Sequence, residues 1–349
     1  MARTKIDYGI DLGTTNSAIA RIENGKPKIK KSDTLKDTMP SCVSFNKKGT
    51  ILVGDAAANA YKSDKIRSLR TGSAETNTFI EFKRTMGSDK KYVSSNSSRE
   101  YSSEELSAEV LKKLKSFITD EDLRSIVVTI PAKFSINQKN ATSVAAKLAG
   151  FEHCELLQEP IAASMAYGIV GGSTDGMWLV FDFGGGTFDA ALLRVDEGIM
   201  KVVDTEGDNH LGGKNIDLAI VDEILIPHLE SKYTIDSYLE DAIKREHFRE
   251  ALKGFAEINA KIPLSFYTTT DVMSDPGDFP DDDDGSEIEI DITLTRQDLE
   301  PVTQPIFQKA IDICSELLKR NGLSGTDLAT LILVGGPTFS PTLRQMLKE

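Results

Sequence analysis

The sequence predicts an α/β protein made of two similar lobes, and three observations carry that prediction. A strand–turn–strand segment near the start returns in altered form near the middle of the chain. Stretches of helical period alternate with short apolar runs, as in architectures that mix strands and helices. The 349 residues are also too many for one compact core.

The first hairpin runs Tyr8-Gly-Ile-Asp-Leu-Gly-Thr-Thr-Asn-Ser-Ala-Ile-Ala-Arg-Ile22, and the second Leu179-Val-Phe-Asp-Phe-Gly-Gly-Gly-Thr-Phe-Asp-Ala-Ala-Leu-Leu193. Each is an apolar strand, a glycine turn led by aspartate, and a second apolar strand. Asp11 and Asp182 lie 171 residues apart, as do Gly13 and Gly184. A repeat at half the chain length marks a duplicated fold rather than a solenoid. Between the hairpins, helices are expected at Glu104–Phe117, Ile136–Leu148 and Glu159–Ile169, with a strand at Ser125–Ile130. After the second hairpin the pattern gives helices at Lys214–Glu230 and Leu239–Ala260, then strands at Ile262–Thr270 and Glu287–Leu294. A long helix from about Gln297 to Arg320 and a short strand at Leu331–Val334 close the order. Polar composition marks Lys62–Asn77, Ser94–Glu100 and Asp271–Gly285 as surface loops. The acidic run Asp281–Asp284 fails the calcium-loop frame, because Pro280 falls on the first ligand position.

The 41 basic and 54 acidic residues give a net charge of −13, which disfavours nucleic acid and anionic lipid as partners. A small polyanion can still bind where backbone N–H groups, a lysine and a metal override the global field. Apolar runs are too short to cross a bilayer, and Lys5 and Asp7 interrupt the first residues, so a cytoplasmic location is expected. Cys42, Cys154 and Cys314 are too few and too scattered for a disulfide framework or a zinc site.

The two turns are the candidate chemistry. Gly13, Gly184, Gly185 and Gly186 let backbone N–H groups converge on phosphate oxygens, because no Cβ blocks the approach. Thr14, Thr15, Asn16 and Thr187 stand beside them with side-chain polar groups. In a pseudo-symmetric pair of lobes Asp11 and Asp182 face one shared cleft, and Asp189 follows the second turn. Magnesium keeps several waters and is held by one or two carboxylates plus phosphates, which suits this set. A dinucleotide fingerprint fails at Asp189, where glycine is required, and a P-loop fails at Asp208 and Asn215.

These turns resemble the phosphate motifs of the heat-shock protein 70 chaperones, within the superfamily of actin, sugar kinases and chaperone ATPases. Met39-Pro-Ser41, Val53-Gly-Asp-Ala-Ala57, Phe82-Lys-Arg84, Ile130-Pro-Ala132, Glu159-Pro160, Ala166-Tyr-Gly168, Gly207-Asp-Asn-His-Leu-Gly-Gly213 and Val334-Gly-Gly336 come in the family's order. The resemblance implies an actin-like ATPase fold of two ribonuclease-H-like lobes. Lobe I would have its core at residues 1–38 and 104–174 and an outer subdomain at 39–103. Lobe II would have its core at 175–213 and 296–349 and an outer subdomain at 214–295.

It also implies a monomer that hydrolyses ATP to ADP in the cleft, slowly, with Mg2+ and K+ as ions. A J-domain co-chaperone and a nucleotide exchange factor would be its partners. Lys83 then resembles the lysine that orients the attacking water, with Glu159, Asp11, Asp182 and Thr187 completing the catalytic set. Pro131 resembles the interlobe switch proline, with Lys139 in the place of the family's arginine. His210, Gly212 and Gly213 would serve lobe geometry. Lys261, Ser265, Gly335, Gly336 and Phe339 would hold the nucleoside.

Two family arginines are replaced by Ile262 and Phe339, so weaker or less selective adenine binding is expected with phosphate contacts intact. Residues 85–103 look trimmed, and the family's later segments do not come after Glu349, as in a fragment or a short member. A small-molecule kinase, a filament-forming ATPase and a nucleotide sensor with little turnover are the rival readings.

Overall fold

The computed structural model describes residues 6–71, 76–171 and 174–349. The first lobe begins with β1 (Tyr8–Leu12), β2 (Asn16–Glu23) and β3 (Lys26–Ile29), and then β4 (Met39–Pro40), which pairs with β2. An outer unit comes next: β5 (Cys42–Phe45), β6 (Ile51–Val53), α1 (Asp55–Thr71), β7 (Thr78–Ile80), β8 (Tyr92–Ser94) and β9 (Arg99–Tyr101). The chain then returns through α2 (Ser103–Lys115), β10 (Ser125–Ile130), α3 (Ile136–Leu148), β11 (His153–Gln158) and α4 (Glu159–Gly171). Residues of β10 are alternately buried and half-buried, the period-two pattern of a strand covered more fully on one face. Reciprocal caps start α2, between Ser102 and Glu105, and α3, between Ser135 and Gln138, each satisfying N–H groups a helix start leaves free.

The second lobe repeats the plan with β12 (Gly176–Phe183), β13 (Phe188–Asp196) and β14 (Ile199–Asp208). Its outer unit holds α5 (Gly213–Ile220), α6 (Ile226–Glu230), α7 (Asp236–Leu239), α8 (Ala242–Phe255), α9 (Ile262–Phe266), β15 (Thr269–Met273) and β16 (Asp291–Thr295). The chain returns through α10 (Arg296–Arg320), β17 (Leu328–Val334) and α11 (Pro341–Met346).

The sheet orders are β11-β10-β1-β2-β3 and β14-β13-β12-β17, so β1 matches β12 and β10 matches β17. Register matches as well. Asp11 pairs with Ala18, and Asp182 with Asp189, the position 171 residues further on. In the parallel pairs Asp11 lies opposite Thr129 and Asp182 opposite Val334. This is the actin-like ATPase architecture. Each lobe has its own apolar core, around Ile10, Phe45 and Val128 in the first and Phe181, Phe248 and Phe307 in the second. A third cluster, with Trp178 and Ile332, joins them: α4 lays Ile161 and Ala163 on the second sheet, and Tyr167 meets Trp178 edge-on at 5.7 Å.

Three local expectations are corrected. Most of Lys62–Asn77 is not loop, since α1 runs to Thr71; residues 72–75 lie outside the described set. Ile262–Thr270 is not one strand, because the helix continues through a π turn at Ala256–Lys261 into α9 before β15 begins. Pro263 falls directly after the π turn inside this continuous helical run, a place where the hydrogen-bond ladder is already displaced. Asp271–Gly285 begins with strand residues to Met273, and the loop starts only at Ser274.

Candidate functional site

The two glycine turns face each other across the lobes. Each is pinned by its own lobe. Ser41 donates its N–H to Thr15 O at 2.8 Å and its hydroxyl to Gly13 O at 2.7 Å. Gly213 and Lys214, at the start of α5, donate N–H groups to the Gly184 and Gly185 carbonyls at 2.9 and 2.8 Å. The turns nearly touch: a Cβ added at Gly185 would stand 2.5 Å from Thr15 Oγ1. Gly212 approaches the Gly186 backbone so closely that a Cβ there would lie 2.5 Å from Gly186 Cα.

Lys83 enters this cleft on a 3-10 turn, Phe82–Thr85, and is only 7% exposed. Its Nζ donates to Glu159 Oε1 at 2.8 Å. Burial opposes the ammonium charge, but Glu159, Asp11 and Asp189 outweigh it and raise the lysine's pKa. Glu159 opens α4, and burial raises its pKa against the pull of Lys83. Burial also raises Asp189. Asp182 is pushed up to about 8 by burial and by Glu159, Asp189 and Asp11, with Lys83 opposing. Glu159, Asp182 and Asp189 line one cleft of about 290 Å³ with Ala132 and Thr205. Asp11 is near enough to act on the charges of Lys83 and Asp182, and accepts from Thr129 Oγ1 at 3.0 Å.

These carboxylates outnumber the one buried ammonium beside them, and an all-oxygen donor set suits a hard divalent cation. Among the described residues no three of His, Cys, Asp and Glu converge closely enough to hold a metal directly.

On the far side of Gly213, a Cβ would lie 3.2 Å from both Lys261 Nζ and Pro337 Cγ. Lys261 and Ser265 line a second cavity of about 410 Å³ with Ile216, Leu264, Phe307 and Pro337. Lys261 pairs with Asp217 at 2.7 Å, and burial pushes Asp217 up to about 7 despite that pairing. Gly335 turns the chain at φ +93° and leads through Gly336 to Phe339. Phe339 does not line this cavity: it is half exposed and leans on Phe266, ring centroids 5.6 Å apart.

Other sequence candidates lie away from the turns. His210 is exposed beyond β14, its backbone N–H on Asp208. Lys139 lies in the first turn of α3. From the segment of Pro131 it is Lys133, two residues on, that reaches the other lobe, at 2.8 Å from Glu206. Sequence reasoning also missed Glu81, which accepts two bonds from Lys214 at 2.9 and 3.1 Å, and Arg84, which donates to the Gly186 carbonyl. Partners this far apart in the chain leave no local signal.

A family model described as "Hsp70 protein" matches residues 7–349. The chaperone protein DnaK of Methanothermobacter thermautotrophicus is 35% identical over 356 aligned residues, which cover all of this chain and 56% of that protein. The chain thus spans a little over half the length of this curated relative. With two matched hairpins in one register and a family match over nearly every residue, the chain belongs to the Hsp70 family, as its nucleotide-binding domain.

Proposed function

We propose that the cleft binds Mg-ATP and hydrolyses it slowly to ADP and phosphate, with rotation of the lobes as output. The observation that carries this reading is Lys83, buried and held at 2.8 Å by Glu159, with Asp11 and Asp189 acting on its charge. The N–H groups of Gly13–Thr15 and Gly184–Thr187 would bind phosphate oxygens from both sides. Asp11, Asp182 and Asp189 would hold magnesium through its waters, with potassium as a further ion, and the metal supplies positive charge to the phosphates. Lys83 positions the attacking water and neutralises charge that develops on the γ-phosphate, and Glu159 fixes the ammonium in place. Gly212 and Gly213 couple the second turn to α5, which links phosphate contacts to the outer unit of lobe II.

By membership of the family, the whole protein would act as a cytoplasmic chaperone, its nucleotide state set by a J-domain co-chaperone and an exchange factor. Calorimetric titration with Mg-ADP, with and without magnesium, tests the binding claim. Metal-dependent binding is expected, and absence of heat at high concentration overturns it. In single-turnover hydrolysis, Lys83→Ala should lose about 10²-fold or more in rate while keeping nucleotide binding. A variant that turns over normally would remove Lys83 from the mechanism.

A further inference from the structure

The turn after β10 touches the cleft and the second lobe at once. Ala132 lines the carboxylate cavity with Asp182 and Asp189, and its carbonyl accepts from Gln158 Nε2 at 3.3 Å. Phe134 lies beside the ammonium of Lys83, 5.7 Å from the ring centre. Between them Lys133 reaches out to Glu206 on β14 at 2.8 Å, the two side chains 46% and 29% exposed. Lys133 also acts on the cleft: burial raises the pKa of Asp189, and Lys83 and then Lys133 draw it down.

The sheet places this lysine between two carboxylates. In β14, an edge strand, Gly207 pairs with Asp189 and Glu206 with Ala190, so Asp189 and Glu206 sit one register step apart on opposite faces. Gly207 forms the flank of Asp189 toward the edge and puts no side chain there; a Cβ would lie 3.2 Å from Asp189 Oδ1. Arg320 does not depend on Glu206, since Asp204 accepts from it twice, at 2.7 and 2.9 Å. Loss of Glu206 as a partner therefore releases Lys133 alone, with Asp189 across an open flank.

We infer that the ion pair with Glu206 keeps Lys133 off Asp189, and that parting of the lobes here turns the ammonium onto Asp189 in competition with magnesium. The inference rests on the magnesium-nucleotide reading above and adds a control on that site. An ammonium seated on the carboxylate occupies its lone pairs and repels the dication. Lys133 is thus a positioning residue: it acts on the metal through Asp189, and contact between the lobes decides where it stands.

The experiment is calorimetric titration with Mg-ADP and with ADP in EDTA, the ratio of the two dissociation constants giving the metal's contribution. In Glu206→Ala that ratio should shrink about fivefold or more. In Lys133→Met, and in Lys133→Met combined with Glu206→Ala, it should keep the value of the unaltered chain, because no ammonium is left to compete. An unchanged ratio in Glu206→Ala overturns the inference and leaves the nucleotide reading standing. A loss that persists in the double variant belongs to the strand rather than the lysine and overturns it too, as does a loss in Lys133→Met alone. No difference between Mg-ADP and metal-free ADP in the unaltered chain overturns both.

Discussion

At the scale of single residues, two positions carry the most chemical consequence. Asp182 holds its proton up to about pH 8, whereas an unfolded carboxylate loses it near pH 4. The stabilisation from this group is complete below pH 4 and is lost as the pH climbs to about 8. A melting-temperature series on the ligand-free chain should show that decline, and Asp182→Asn should flatten it. If magnesium is bound here, Mg-ADP at pH 7 should release a proton, visible as a dependence of the calorimetric enthalpy on the buffer's ionisation heat. Gly335 is the second position. Its φ of +93° and a would-be Cβ 2.0 Å from Phe183 O leave no room for a side chain. Gly335→Ala should cost about 1–3 kcal/mol of stability, read as a shift in the denaturant midpoint.

At the scale of elements, the 3-10 turn that carries Lys83 is held by a strained start. Glu81 has φ +56°, a left-handed conformation that costs a non-glycine residue about 1–2 kcal/mol. Its carboxylate is held by Lys214 and Arg84. Lys214→Met removes the cross-cleft half of that grip and should speed release of a fluorescent nucleotide in stopped flow; an unchanged rate would show the grip plays no part in release.

The paired hairpins were legible in the sequence, because alternation and an aspartate before each glycine turn are local signals. Helix α1 was not, since a polar stretch reads as loop until Lys62 is seen lying over Phe255 of α8. The apolar run from Ile262 reads as a strand until the π turn before it carries the helix into Pro263. Lys83 and Glu159 were legible only through the family resemblance. Lys133, Glu81 and Lys214 were not, because their partners lie 73 and 133 residues away in the chain.

At the scale of the whole molecule, charged contacts span the cleft at both ends. Lys133 and Arg320 share Glu206 near α10, and Lys214 meets Glu81 between the outer units. All are partly exposed, and added salt weakens such pairs. Small-angle scattering of the nucleotide-free chain should show a larger radius of gyration at high salt, and saturating Mg-ADP should suppress the change. Each outer unit is also an insertion: one strand of chain leaves the lobe core near β4 or β14, and a second returns at α2 or α10. A panel mounted on two hinges swings about one axis and resists twisting about the others. The pull of a bound molecule would then be converted into one direction of swing, and a lever fixed anywhere on that panel would move with it.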